Sequence, residues 1–132
     1  MTLTTLLLSL MLGTSPVAAT PDATLLSGLL EVHERDGGCS GEANTDLRVQ
    51  VDGTRTTFEQ DVWLSARESL DPMDVLEVKR EGSVLSATVN VHVAPIEPGR
   101  PVPACIRPVN VRLHVDGLPP GDYTLQLKRA ES

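Results

Sequence analysis

The feature that most constrains this chain is an alternation of apolar and polar residues with a period of two. It recurs along most of the sequence after Leu25 and is clearest over 85–93 and 109–115. Turn sequences such as Asp52-Gly53-Thr54 and Glu81-Gly82-Ser83 separate the alternating stretches. Successive side chains of a strand point to opposite faces, so this pattern indicates antiparallel strands with one buried face. We predict seven strands, at about 25–34, 46–51, 55–64, 75–80, 84–94, 107–115 and 123–129.

Short strands separated by turns predict an all-β fold, a single antiparallel β-sandwich of about seven strands. The reason is that a sheet with one apolar face has to cover that face with a second layer. The one helical candidate is Ser65-Ala66-Arg67-Glu68, which has the pattern of a capping box and would end before Pro72. Residues 95–108 contain five prolines and are predicted to form a stiff, extended connector.

The first nineteen residues have the character of a signal peptide. A short apolar run over 6–12 is followed by Gly13 and Pro16, and Val17-Ala18-Ala19 supplies small residues for a cleavage site. The run is shorter than the roughly 20 apolar residues of a spanning helix. We predict a signal peptide over 1–19 and one mature β-sandwich domain over 20–132. The alternative is a disordered or wrongly assigned N-terminus.

Charge and aromatic content restrict the partners. The formal net charge is −7, and the only aromatic residues are Phe58, Trp63 and Tyr123. An acidic surface with so few stacking groups is unsuited to nucleic acid or anionic lipid. We therefore expect a neutral or basic partner, no nucleic acid, and no membrane span after signal cleavage. The nine arginines against two lysines favour a bacterial protein, either periplasmic or secreted.

Two cysteines, Cys39 and Cys105, are the only thiols in the chain. Export would place them in an oxidising compartment, so one disulfide is expected. Both lie in turn-rich sequence, which predicts a bridge between two loops rather than one across the core. The alternative, a redox pair or metal thiolates, lacks the spacing of a Cys-x-x-Cys motif.

The stretch Leu118–Tyr123, with the strand that follows it, resembles the Leu-x-Pro-Gly turn and tyrosine-led strand of fibronectin type III and other immunoglobulin-like sandwiches. Many exported bacterial β-sandwich proteins share this likeness. It implies an immunoglobulin-like fold in which the hydroxyl of Tyr123 bonds back to the backbone of the corner. One residue fewer than usual separates Gly121 from Tyr123. The Gly-Leu-Pro-Pro-Gly piece also resembles copper/zinc superoxide dismutases, but the following strand has no histidine. The likeness implies no function, because sandwiches carry many unrelated activities.

Few residues can carry chemistry. His92 and His114 are both predicted on polar strand faces, and they could hold Zn²⁺ or Cu²⁺ if their strands were neighbours. The alternative is two unconnected surface histidines. No serine lies in a Gly-x-Ser-x-Gly elbow and no glycine-rich loop precedes a helix, so we expect no catalytic residues and no cofactor.

One aromatic residue is out of register with its strand. Trp63 shares a predicted face with Glu59 and Asp61, and an exposed tryptophan beside carboxylates is typical of a protein contact. The alternatives are a bulge that turns Trp63 inward or cover by the proline-rich connector. The two carboxylates could also be a glycosidic pair, but sugar-binding aromatics are lacking.

The sequence therefore favours an exported, non-enzymatic domain that binds another protein. One alternative is a metal-handling protein that uses His92 and His114. Another is an inhibitor of an extracellular hydrolase that inserts the Pro95–Pro108 segment, since a tethered, rigid loop suits that role.

Overall fold

A computed structural model describes residues 23–35, 37–101 and 104–131, so the predicted signal peptide over 1–19 lies outside the described residues. Within these ranges the chain is all-β, with one turn of 3-10 helix at Gly38–Ser40 and no α-helix. Its strands are β1 (Thr24–Glu34), β2 (Arg48–Asp52), β3 (Arg55–Ser65), β4 (Glu68–Ser69), β5 (Met73–Glu81), β6 (Val84–Val93), β7 (Ile106–Asp116) and β8 (Thr124–Glu131).

The seven predicted strands are confirmed, each ending within about two residues of its predicted bounds, because the period-two pattern follows the buried face of each strand. The predicted helix after Ser65 is wrong. The backbone N–H of Ser65 does donate to Glu68 Oε1, at 2.7 Å, as in a capping box. Here that bond closes a turn, and the chain continues into the two-residue strand β4.

The strands form one curled, mixed sheet in the order β2-β3-β7-β1-β5-β6-β4, with β8 beside β6. All pairs are antiparallel except β6 and β8, which run parallel. The prediction of a purely antiparallel sandwich is therefore wrong at β8, and an immunoglobulin-like topology is not confirmed. The physical reason is the connection over 117–123, which carries the chain away from β7 to the start of β6 rather than forming a hairpin.

The curl brings two layers face to face. Strands β2, β3, β7, β1 and β5 make the first layer, and β6, β8 and β4 make the second. Strand β6 pairs with β5 only over Val84–Ala87, next to their shared turn, and then leaves it to cover the core. Valine and leucine dominate this core; its buried members are Leu30, Phe58, Leu76, Val78, Leu85, Ala87, Val89, Val111, Leu113 and Val115.

The turn before β8 has the local geometry that its sequence implies. The Tyr123 hydroxyl donates a hydrogen bond of 2.6 Å to the carbonyl oxygen of Pro119. The Tyr123 ring packs edge-on against Phe58, with 6.5 Å between ring centroids. This corner therefore fixes the start of β8 against the core.

The structure confirms the predicted pairing of the two cysteines. Cys39 and Cys105 are joined, with 5.6 Å between their Cα atoms and a sequence separation of 66. The bridge ties the 3-10 turn to the residue just before β7, outside the core. At the other end of the proline-rich connector, the Ala94 N–H donates to the Arg67 carbonyl oxygen at 2.8 Å. The connector is thus held at both ends.

Candidate functional site

The second layer is narrower than the first, and an open cleft of about 320 Å³ lies between the ends of β3 and β8. Apolar side chains from both layers form most of its wall. They are Val62, Leu64, Leu70, Val89, Val91, Val111 and Leu127. The polar residues of the wall are Thr45, Gln60, Asp61, Lys128 and Arg129. Mostly apolar concave sites with a few polar groups are the usual form of a binding site.

Unpaired backbone groups of β3 border the cleft. Strand β2 pairs with β3 only as far as Glu59, so the rest of β3 has an edge that no described strand covers. The Asp61 N–H reaches this edge and donates to the Asn44 carbonyl oxygen at 2.9 Å. Backbone groups alternate in direction along a strand, so those of Trp63 point to the same edge. Among the described residues, they have no backbone partner there.

Trp63 is 41% exposed and is one of the residues that border the cleft, but its side chain lies on the opposite face of β3 from Val62 and Leu64. The pairing of β3 with β7 is continuous from Arg55 to Ser65, so no bulge turns the indole inward. Trp63 therefore keeps the strand face that the alternation predicts, together with Glu59 and Asp61. An exposed tryptophan beside an apolar cleft has the composition of a protein-binding hot spot.

Two valines of β2 lie beyond the reach of the second layer. Val49 and Val51 pair with Phe58 and Thr56, both of which are buried on the core face. Paired residues of neighbouring strands point to the same side of a sheet, so the valines also point toward the core side. They are nevertheless 48% and 70% exposed. The alternation correctly predicts their strand, but it does not show that the second layer stops short of them.

Asp61 belongs to the framework beside the cleft. Its side chain is fully buried and accepts hydrogen bonds from Asn44 N at 2.8 Å and Asn110 Nδ2 at 3.2 Å, with Arg35 as its ion-pair partner. Burial favours the neutral acid, but these donors and the Arg35 charge outweigh it and lower the pKa of Asp61. A protein contact at Trp63 would therefore not include the Asp61 carboxylate.

Glu59 remains half-buried on the same face. Its Oε2 accepts hydrogen bonds from Asn110 Nδ2 at 3.0 Å and Arg112 Nε at 3.2 Å, and Arg48 Nη2 lies 3.9 Å away. Burial opposes ionisation, yet the Asn110 hydrogen bond and the Arg112 and Arg48 charges lower the pKa of Glu59. A glycosidic pair needs one carboxyl with a raised pKa. Glu59 and Asp61 both have lowered values.

A polar row crosses the outer face of the first layer. His114 Nδ1 lies 2.7 Å from Thr57 Oγ1, and its Nε2 contacts Glu31. The order of hydroxyl, imidazole and carboxylate is that of a nucleophile with its base and orienting acid. However, Thr57 lies mid-strand with β2 on one side and β7 on the other, so the sheet engages the nearby backbone N–H groups that an oxyanion hole would need. The hydrogen bond from His114 lowers the pKa of Glu31.

The two histidines of the predicted metal site are not brought together. His114 is on β7, whose neighbours are β3 and β1, whereas His92 is on β6 in the second layer. His92 Nε2 lies 3.2 Å from Asp71 Oδ1, and its side chain is about half exposed. The condition for a shared site, adjacent strands, is not met. Across the described ranges, no three side chains of histidine, cysteine, aspartate or glutamate converge as a metal site would need.

Comparisons with protein-family models, with curated proteins and with solved structures give no match. In the part of the chain that the structure describes, no helix is long and apolar enough to cross a membrane.

Proposed function

We propose that this chain is an exported, non-enzymatic β-domain that binds another protein, and that the cleft beside Trp63 is its binding site. The observation that carries the proposal is an apolar cleft bordered by unpaired strand edges, with a half-exposed tryptophan at its border. Tryptophan is enriched among the residues that dominate protein interfaces. Such a cleft offers a partner both apolar area and backbone hydrogen bonds.

Two features support a binding role over catalysis. The Thr57–His114 row has its surrounding backbone donors engaged in the sheet, so nothing there would stabilise a developing oxyanion. The carboxylates near the cleft are held as anions by arginine and asparagine, which leaves no proton donor of raised pKa. Both groups are better suited to holding strands together than to reacting with a substrate.

Export, to the periplasm or outside the cell, is part of the proposal. The joined Cys39 and Cys105 suit an oxidising compartment, and a signal peptide over 1–19 would direct the chain there. The immunoglobulin-like assignment keeps the support of the Tyr123 corner, while the parallel β8 departs from it. The metal-handling alternative is not supported, because His92 and His114 lie on strands that are not neighbours. The hydrolase-inhibitor alternative stays a prediction.

The test compares three forms of the mature chain immobilised as bait against its own envelope or growth medium. We expect a specific partner to be retained by the unmodified chain. Trp63→Ala should lose most of that retention because it removes the aromatic anchor, at a cost of about 2 kcal/mol or more. Binding should also shift the Trp63 fluorescence to shorter wavelength as the indole leaves water.

The matched control is Val75→Ala, which removes an exposed side chain from β5, away from the cleft. It should retain the partner like the unmodified chain. Equal retention by the Trp63 and Val75 variants, or a fluorescence spectrum that the partner does not change, would overturn this site.

A further inference from the structure

We infer that the cleft takes an extended segment of another polypeptide, which adds as a strand to the free edge of β8. This inference rests on the proposed function and deepens it by naming the form and chemistry of the partner. The segment would carry valine-sized apolar side chains at alternate positions and an acidic side chain on its outer face.

The free edge follows from the pairing of β8. Among the described strands β8 pairs only with β6, and the Thr124 N–H donates to the Ser83 carbonyl oxygen at 2.9 Å. Backbone groups alternate in direction along a strand. Those of the even-numbered residues of β8 therefore face β6, while those of Leu125 and Leu127 face outward. The outward donors and acceptors of these two residues form a template for an added strand.

The shape of the core shows where such a strand would lie. The first layer has five strands, and the second stops at β8. A strand beside β8 would extend the second layer over the core face of β3, where Val62 and Leu64 line the cleft. Continued in the same plane, it would approach Val49 and Val51, which point toward the core side without cover. One added strand would thus fill the cleft, pair with the free edge of β8 and approach the uncovered valines.

The spacing of the apolar side chains in the cleft wall determines which side chains the added segment needs. Every second side chain of a strand points to the same face, so alternate residues of the added strand would enter the cleft. Their neighbours would be branched aliphatic side chains such as Val62, Val91 and Leu127. Valine-sized residues at alternate positions match this wall, whereas a helix would present its apolar residues at the wrong spacing.

The charge of Lys128 indicates which type of residue the segment carries on its outer face. Lys128 pairs in register with Thr88, which is exposed, so Lys128 points to the solvent side of the second layer. An acidic residue opposite Lys128 would make a favourable cross-strand pair. The net charge of −7 disfavours two copies of this chain meeting at the edge, which favours a different polypeptide as the occupant.

The experiment uses the mature, disulfide-bonded chain and synthetic peptides. The first peptide has eight residues, valine alternating with threonine, with one central threonine replaced by glutamate. Two isomers of this peptide carry N-methyl groups either on all valines or on all threonine and glutamate residues. Each isomer blocks hydrogen bonding along one edge of the extended peptide while keeping the same side chains.

We expect the unmethylated peptide to bind and one isomer to bind like it. The other isomer should bind at least about tenfold more weakly, because only one peptide edge meets β8. In the complex, amide hydrogen exchange should slow at Leu125 and Leu127 and stay unchanged on the outer edge of β2. Replacing the glutamate by lysine should weaken binding about two- to fivefold, and Lys128→Glu should reverse that preference.

Equal binding of both isomers would overturn strand addition while leaving binding at the cleft intact. Failure of the unmethylated peptide to bind would also overturn the inference, whereas loss of partner retention by Trp63→Ala would still support the proposed function. Protection of the same two amides in the chain alone, rising with its concentration, would assign the edge to a second copy and overturn the choice of occupant.

Discussion

Asp61 joins three separate parts of the chain through one buried carboxylate. It lies on β3 and binds Arg35 after β1, the Asn44 backbone before β2, and Asn110 on β7. The alternation places Asp61 on a polar face, and that placement is right. Its burial depends on the segment between β1 and β2, which has no periodic pattern. The sequence could therefore predict the face of Asp61 but not its role.

Replacing this carboxylate should destabilise the fold. Asp61→Ala leaves the Asn44 N–H without this acceptor and removes one of the two acceptors of the Asn110 amide, while the partly exposed Arg35 can turn to water. We expect unfolding to become easier by about 2–3 kcal/mol, measured by chemical denaturation at neutral pH. Glu77→Ala, on an exposed site of β5, is the control and should change stability by less than about 0.5 kcal/mol. A similar, small effect of both variants would contradict the framework role of Asp61.

At the scale of elements, the sequence is most informative about individual strands and least about their partners. Periodicity depends only on which face is buried, so it predicts β3, β6 and β7 with nearly correct ends. It carries no information on whether β8 runs parallel or antiparallel to its neighbour. For the same reason it could not show that the second layer ends before Val49 and Val51, and the cleft was not predictable.

The disulfide stabilises the fold by tying two elements that lie far apart in sequence. It links the Gly38–Ser40 turn to the start of β7 and closes a loop of 66 residues. In the chain-entropy model a loop of this length corresponds to about 4 kcal/mol. Reduction should therefore lower the melting temperature by about 10–20 °C. The double variant Cys39→Ser with Cys105→Ser should melt like the reduced chain and be insensitive to reductant. Equal melting of the oxidised and reduced chains would contradict a stabilising bridge.

At the scale of the whole molecule, the unequal widths of the two layers dominate the surface. The wide first layer carries the polar outer face, where Glu59, Asp61 and His114 lock the strands together. The narrow second layer leaves apolar side chains and a strand edge accessible on the opposite side. Most of these polar contacts lie on the opposite face of the first layer from the apolar wall of the cleft, so a partner bound there would leave them in place.

The same polar groups give the fold a defined pH dependence. Among the residues that the structure describes, five carboxylates have lowered pKa values: Glu31, Glu59, Asp61, Glu68 and Asp116. A carboxylate whose folded pKa lies below its unfolded value of about 4 contributes stability above that pH and loses it as the pH falls through the folded pKa. Before that point, proton uptake from pH 7 to 5 makes the net charge of −7 less negative, which relieves repulsion within the chain.

We therefore expect the melting temperature to stay level or rise slightly from pH 7 to 5 and to fall steadily below about pH 4. Calorimetry at constant ionic strength over pH 7 to 2.5 would measure this. Asp61→Asn cannot lose a carboxylate charge at this site, so its melting temperature should start lower and fall less steeply in acid. An unmodified chain that melts at the same temperature at pH 5 and 2.5 would show that these carboxylates do not stabilise the fold through their charge.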